Sequence, residues 1–283
     1  IKGLRIHYVD EGAGDAMPVL LLHGEPSWSY LYRKMIPVIA AAGYRAIARD
    51  LVGFGRSDKF VRMEDYSYQL QVDVMAEFVT RMNLRETILF GQDWGGLVGL
   101  RVLAEEPDRF SGVVVANTGL PLPASEGSVP APFLIWRFFY SWTPVFPTGR
   151  IVNAGTVTEL PEDVLAAYEA PFPNRRHMAG ARIMPTLVPI DPEDPAVPGN
   201  EKAWEILRRW ERLSSPRSAT GIQPPGDSKP ASSPSGRTPG GRRVRLRVGQ
   251  VHRSLQVHRK ESQAIHSQWK GVSLWVQRRL VGY

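Results

Sequence analysis

Short, unbroken apolar runs alternate with stretches of helical spacing from Val19 to Val115, and this alternation constrains the fold more than any other feature. Val19-Leu20-Leu21-Leu22, Arg45-Ala46-Ile47-Ala48, Thr87-Ile88-Leu89-Phe90 and Val113-Val114-Val115 each read as a strand. Unbroken runs such as the first are expected of strands buried on both faces. Residues 30–42, which stop at Gly43, and residues 68–82 and 96–105 carry helical spacing. Residues 4–9 alternate and read as a further strand. Strands alternating with helices predict a mostly parallel sheet covered on both faces. After about Leu120 the sequence becomes rich in Pro and aromatics. Helical pieces at 133–140, 162–169 and 201–210 read there as an insertion seated on the sheet.

Composition divides the chain near residue 212. The whole carries 35 Lys+Arg and 28 Asp+Glu, a net +7. Residues 213–283 hold 13 and 2 of these, a net +11, which leaves 22 and 26, a net −4, for residues 1–212. The basic balance therefore belongs to the last quarter and says nothing about the partners of the rest. Residues 213–241 are largely Ser, Pro, Gly and Arg, and bury too little apolar surface to offset their ordering entropy. Residues 212–283 are expected to be a basic tail, disordered or non-native. Hydrophobic residues make up 43% of the chain, which excludes disorder throughout. Cysteine is absent, which excludes disulfides, thiolate metal sites and cysteine nucleophiles. No apolar stretch reaches about 18 residues, so no membrane span is expected. The chain opens at Ile1 without a basic region ahead of an apolar run, so no signal peptide is expected, and a cytoplasmic location is the expectation.

The sharpest local signal is Phe90-Gly91-Gln92-Asp93-Trp94-Gly95-Gly96. A strand runs into Gly-x-Asp-x-Gly and then into a helix, the nucleophile-elbow pattern with Asp in place of Ser. Flanking glycines permit a turn that thrusts the central side chain clear of the sheet. The helix behind it directs N–H groups toward developing negative charge. The competing reading is a Gly-rich turn with an N-capping Asp. A second turn, His23-Gly24-Glu25-Pro26, follows the Val19–Leu22 run. In elbow hydrolases such a turn supplies one oxyanion-hole N–H and the residue after the nucleophile supplies the other. Here these are the N–H groups of Glu25 and Trp94. His23 is expected to brace the turn rather than abstract a proton.

Three separated motifs agree in order and spacing: His23-Gly24-Glu25-Pro26-Ser27-Trp28-Ser29-Tyr30, Asp50 with Gly53-Phe54-Gly55-Arg56-Ser57-Asp58-Lys59, and Gln92-Asp93-Trp94-Gly95-Gly96. Over about residues 4–211 the chain closely resembles the haloalkane dehalogenases of the α/β-hydrolase fold, in the branch that holds halide with two tryptophans. The resemblance implies an α/β-hydrolase core over 1–120 and a helical cap over 121–211. It implies Asp93 as the nucleophile, displacing halide from a small haloalkane to give an alkyl ester. Water then cleaves that ester, and no cofactor or metal is required. An Asp carboxylate is ionised near neutral pH and needs no base to attack an sp³ carbon. A departing halide needs donors, and an indole N–H is donor-only. Trp94 beside the nucleophile is one halide-binding candidate. Phe133-Leu134-Ile135-Trp136 resembles the family's Phe-x-x-Trp element and makes Trp136 the second, with Trp142 as the alternative. Phe133, Phe138, Phe139 and Phe172 are candidates for an apolar pocket wall. A monomer is expected.

The family completes its cycle with an acid after a later strand and a His in a Gly-His-Phe-like turn. Neither motif is present. His252, His258 and His266 lack the glycine turn, and Asp227 does not follow an apolar strand, so the base and the acid remain unassigned. Turnover is expected to be impaired, and the sheet's last strands to be missing or replaced. A frame-shifted reading accounts for the tail. Moving the frame back one base over Arg217-Ser218-Ala219-Thr220-Gly221-Ile222-Gln223-Pro224-Pro225 permits Phe-Ser-Asp-Gly-Asp-Pro, which resembles the family's acid-bearing turn.

Two other readings remain. An epoxide hydrolase of the same fold would also attack with Asp93, but must protonate an alkoxide, with Tyr140 and Tyr168 as candidates. Glu25 and the Gln92-Asp93-Trp94 run favour halide. A non-catalytic chain binding nucleic acid through Arg243-Val244-Arg245-Leu246-Arg247 is the third. It lacks an aromatic platform or a known motif, so no nucleic-acid partner is expected.

Overall fold

The computed structural model describes residues 1–123, 134–135, 137–138, 140, 143 and 146–210. Five strands form one sheet: β1 (Tyr8–Glu11), β2 (Pro18–Leu22), β3 (Arg45–Arg49), β4 (Thr87–Gln92) and β5 (Phe110–Ala116). Their order is β1-β3-β2-β4-β5, with β1 antiparallel to β3 and the other pairs parallel. This is the mostly parallel sheet expected from the alternation. The chain leaves β2 for β3 on one side and later returns as β4 on the other. Such a reversal opens a crevice at the carboxyl ends of the two strands.

Three helices connect these strands: α1 (Met35–Ala41), α2 (Tyr68–Arg81) and α3 (Trp94–Glu105). Side chains on a strand alternate between the two faces of the sheet. Leu20, Leu22, Ile47 and Leu89 accordingly pack with Val72, Met75, Phe78, Val98 and Val102 of α2 and α3. Leu21, Ala46 and Ala48 pack with Tyr32 and Ile36 on the α1 face. Ser67 caps α2, its Oγ accepting from the Leu70 N–H at 3.0 Å.

The remaining helices are α4 (Thr148–Ala154), α5 (Glu162–Glu169), α6 (Ala179–Ile183) and α7 (Val197–Arg209). Leu134, Ile135, Arg137, Phe138 and Tyr140 also carry helical backbone. α7 returns to the core, where Ala203 joins Leu100 and Ala104 of α3. Asn200 fixes it there, accepting from Arg101 at 3.1 Å and donating to the Pro121 carbonyl at 2.7 Å.

Three expectations are corrected in detail. The first strand is Tyr8–Glu11, not residues 4–9. Arg5 and His7 instead bind the turn after β3: Asp58 N–H donates to Arg5 O, and Asp50 N–H to His7 O, both at 3.0 Å. The helix expected over 30–42 is split into a 3-10 turn (Ser29–Tyr32) and α1, where Pro37 has no N–H to offer the Arg33 carbonyl and so cannot carry the helical ladder back across the gap. α7 begins four residues ahead of the expected 201, with Pro198 in its first turn, where a missing N–H costs nothing. The expectations for the last strands and the basic tail fall outside the described residues.

Candidate active site

Leu22 pairs with Gly91 in the β2–β4 register, so the turns leaving these two strands lie side by side. Asp93 sits at the apex of the second turn with φ +50° and ψ −124°, a conformation non-glycine residues seldom adopt. The glycines around it are needed for close approach. A Cβ on Gly91 would meet Gly96 Cα, and one on Gly95 would meet the Leu22 carbonyl. Asp93 does not act as a side-chain N-cap. Its carboxylate faces the neighbouring turn, where the Glu25 N–H donates to Oδ1 at 2.8 Å. Burial raises its pKa above the ordinary carboxylate value, and the N–H groups of Trp94 and Glu25 oppose that rise. The two donors expected for an oxyanion hole thus converge on one carboxyl group.

Gln92 is a site residue that the sequence reading passed over. Its Oε1 accepts from the Gly24 N–H at 3.0 Å and ties the two turns together. A Cβ on Gly24 would collide with the Asp93 side chain, so this glycine leaves room for the nucleophile. His23 is fully buried. Its Nε2 accepts from the Leu51 N–H at 3.0 Å, so the proton is assigned to Nδ1, which donates to the Gly24 carbonyl at 3.0 Å. Burial lowers its pKa. Both nitrogens are occupied, and His23 braces the turn as expected.

Two buried polar atoms beside Asp93 have no hydrogen-bond partner: Trp94 Nε1 and Glu25 Oε1. Trp94 is held by an edge-to-face contact with Tyr68 at 5.2 Å between ring centroids. Burial, followed by the charge of Asp93, raises the Glu25 pKa well above the ordinary value.

Above this floor, residues 28–33 engage α5. Trp28 Nε1 donates to Ala167 O at 3.1 Å, and Arg33 Nη1 donates to the Tyr168 hydroxyl at 3.3 Å. Phe172 is buried against Phe54 at 6.1 Å. Phe138 is 68% exposed, so its expected place in a pocket wall is corrected. Its neighbour on that helical segment, Tyr140, is the side chain turned inward, packed on Phe146 at 5.0 Å. Trp136, Trp142, Phe133, Phe139, Asp227 and the three C-terminal histidines lie outside the described residues. Of the other described histidines, His7 binds Asp50 Oδ2 at 2.7 Å and His177 is paired with Asn174 at the surface. Among the described residues no cluster of His, Cys, Asp or Glu has the makings of a metal site, and no helix is long and apolar enough to cross a membrane.

The α/β hydrolase fold family matches residues 17–158. The haloalkane dehalogenase of Mycobacterium marinum is 54% identical over 209 residues, covering 74% of this chain and 70% of the relative. The chain belongs to the haloalkane dehalogenase family. The Psychrobacter cryohalolentis haloalkane dehalogenase is 51% identical over 207 residues, covering 73% and 68%. Among solved structures, the tetrameric dehalogenase DpaA from Paraglaciecola agarilytica superposes with a TM-score of 0.68 at 35% identity, over 71% of this chain and 67% of that one. The elbow and the His-Gly-Glu turn both fall within the matched residues 17–158.

Proposed function

We propose that the chain displaces halide from small haloalkanes through an alkyl ester on Asp93. The observation that carries this reading is the Trp94 indole N–H, buried beside the nucleophile without a partner. An unmet buried donor costs about 1–3 kcal/mol, which a bound halide recovers. The Asp93 carboxylate attacks the carbon, the carbon–halogen bond breaks, and the halide leaves toward Trp94. Trp136 is the second donor in this reading. The ester is then attacked at Asp93 Cγ, and the N–H groups of Glu25 and Trp94 receive the oxyanion. These site residues come from one chain, so the catalytic unit is taken as a monomer. Water and a haloalkane are the only reactants, and no cofactor or nucleic acid enters.

Epoxide opening is the weaker reading. Of its candidate acids, Tyr168 turns its hydroxyl to Arg33 and Tyr140 is packed on Phe146.

Incubation with 1,2-dibromoethane tests the proposal. A burst of one bromide per chain with a bromoethyl adduct in the intact mass is expected, and neither is expected in Asp93→Asn. The adduct should outlast the burst, because no histidine base is assigned. Bromide without any Asp93 adduct under rapid quench, or diol from an epoxide in its place, would overturn it.

A further inference from the structure

Trp94 Nε1 is buried and makes no hydrogen bond, so no polar contact fixes the orientation of the indole. A donor reserved for a leaving anion has to be held by packing. Its own helix offers little of it. The next two residues are Gly95 and Gly96, where a Cβ would collide with the Leu22 carbonyl and the Thr118 side chain. The glycines that make the elbow therefore strip side chains from beside the indole, and support comes from α2. Tyr68, the first residue of that helix, sets its ring 5.2 Å from the Trp94 ring with the two planes at 80°, an edge-to-face arrangement that aromatic pairs prefer. Tyr68 is itself fixed. Its hydroxyl donates to the Leu97 carbonyl at 2.8 Å, and the Arg101 guanidinium lies 5.6 Å from its ring centre, within cation–π reach. Residues 94, 97 and 101 stand at i, i+3 and i+7 of α3 and share one face, along which Tyr68 lies. Arg101 is held in turn, Nη2 donating to Gln69 Oε1 at 3.0 Å and Nη1 to Asn200 Oδ1 at 3.1 Å.

We propose that Tyr68 is a positioning residue for halide release: its ring holds the Trp94 indole with Nε1 turned to the leaving halide, and the Leu97 carbonyl and Arg101 hold that ring. The inference rests on Trp94 being a halide donor. The step it acts on is the first. An oxygen of the Asp93 carboxylate bonds to carbon as the carbon–halogen bond breaks, and the electron pair of that bond leaves on the halide without a proton. Charge on the halide grows through the transition state, and a donor already aimed at it needs no reorganisation at that moment. An indole free to swing has to be ordered by each departing ion, a loss that falls on halide binding and on alkylation together. Chloride carries its charge on a smaller ion than iodide and takes stronger hydrogen bonds, so its departure depends more on the aim of the donor. Tyr68 thus sets leaving-group preference. A tyrosine that only filled space would, on removal, slow every leaving group alike.

The test uses the full chain and two readouts. Sodium bromide should quench the intrinsic fluorescence saturably, and Trp94→Phe should abolish the saturable part. In Tyr68→Leu the bromide affinity should fall by about 2- to 12-fold, the range of an edge-to-face aromatic pair. Tyr68→Phe, which keeps the ring, should restore most of it. Tyr68→Met carries the same expectation as Tyr68→Leu and replaces it if the leucine chain does not fold. The second readout is the leaving group. 1-Chlorobutane and 1-iodobutane give the same butyl ester on Asp93, read by intact mass after timed quenching. Loss of the Tyr68 ring should slow adduct formation more with the chloride than with the iodide. Unchanged bromide affinity in Tyr68→Leu, or equal slowing with the two haloalkanes, overturns the positioning role while leaving the halide reading intact. Saturable quenching that is missing in the wild type, or that survives in Trp94→Phe, overturns the halide reading of Trp94 and the positioning role with it. If the wild type binds bromide but forms no adduct, the bromide titration of the Tyr68 variants decides alone.

Discussion

Replacing Arg49 with methionine should stabilise the protein. Arg49 ends β3 in phase with Ile47, which points it into the core between the sheet and α2. The side chain is 0% exposed, and Nε and Nη2 have no partner. Nη1 reaches only the Met75 sulfur at 3.8 Å, and the guanidinium lies 5.5 Å from the centre of the Phe78 ring. Each unmet buried N–H costs about 1–3 kcal/mol. The contact with the ring returns about 1–2 kcal/mol. Burial lowers the pKa from the ordinary arginine value to about 9, although the neighbouring Asp50 charge opposes the fall. That drop corresponds to roughly 5 kcal/mol, an upper bound on the penalty. Arg49→Met removes the charge and keeps an unbranched stem, so a gain of about 1–4 kcal/mol is expected. At about 2–4 °C per kcal/mol for a domain of this size, a 2 kcal/mol gain raises Tm by about 4–8 °C in calorimetry. The pH dependence supplies a second check. The folded state holds this proton more weakly than the unfolded state, so wild-type stability should rise as pH climbs from about 9 toward the ordinary arginine value. The gap to Arg49→Met should narrow over that interval. An Arg49→Met chain less stable than wild type by 1 kcal/mol or more, roughly the error of such measurements doubled, would refute the reasoning.

Asp50 accepts from the N–H groups of Ser29 and Arg56 and pairs with His7. Asp50→Asn should cost about 3–5 kcal/mol in urea denaturation. Burial alone would raise its pKa, but His7, His23 and these N–H groups outweigh it, so its stabilisation is present above the ordinary carboxylate value and is lost as pH falls through the lowered one. Gly95→Ala drives a Cβ into the Leu22 carbonyl, so soluble expression or Tm should fall sharply, whereas an unaffected Tm would mean the turn has slack. The bromide burst should weaken with acid around a midpoint above the ordinary carboxylate value, because burial raises the Asp93 pKa. The coding DNA after Trp210, read one base back, should spell Phe-Ser-Asp-Gly-Asp-Pro; codons that cannot do so refute the frame-shift account of the tail.

What was legible in the sequence was local. Gly91 and Gly95 announce the elbow because each stands where a Cβ meets backbone, a steric demand met within a few residues. The strands from Val19 onward were legible because burial on both faces leaves an unbroken apolar run. The displaced first strand was not, because its cause lies 50 residues away in the His7 N–H bond to Ser57 Oγ and in the Arg5–Asp58 pair. Arg49 lies one residue past the strand read over 45–48, and only packing against α2 shows it sealed.

The same distinction explains which site atoms escaped notice. Turn motifs such as His23-Gly24-Glu25 are recognised by the backbone N–H they offer, a property of the turn and not of the side chain. The carboxyl of Glu25 and the amide of Gln92 acquire meaning only when β2 and β4 pair in parallel register. That pairing sets residues 68 positions apart into contact, with the Gly24 N–H on Gln92 Oε1 and the Glu25 N–H on Asp93 Oδ1. Gln92 is therefore more than the residue before the nucleophile. It holds the turn whose next N–H binds the Asp93 carboxylate, while φ at Asp93 is kept in the left-handed region by glycine contacts on either side. Backbone strain at such a site persists only where its surroundings over-determine it. Here the two parallel strands, the Gln92 clasp and the Gly95–Leu22 contact jointly supply that constraint, and all of them lie within the described core.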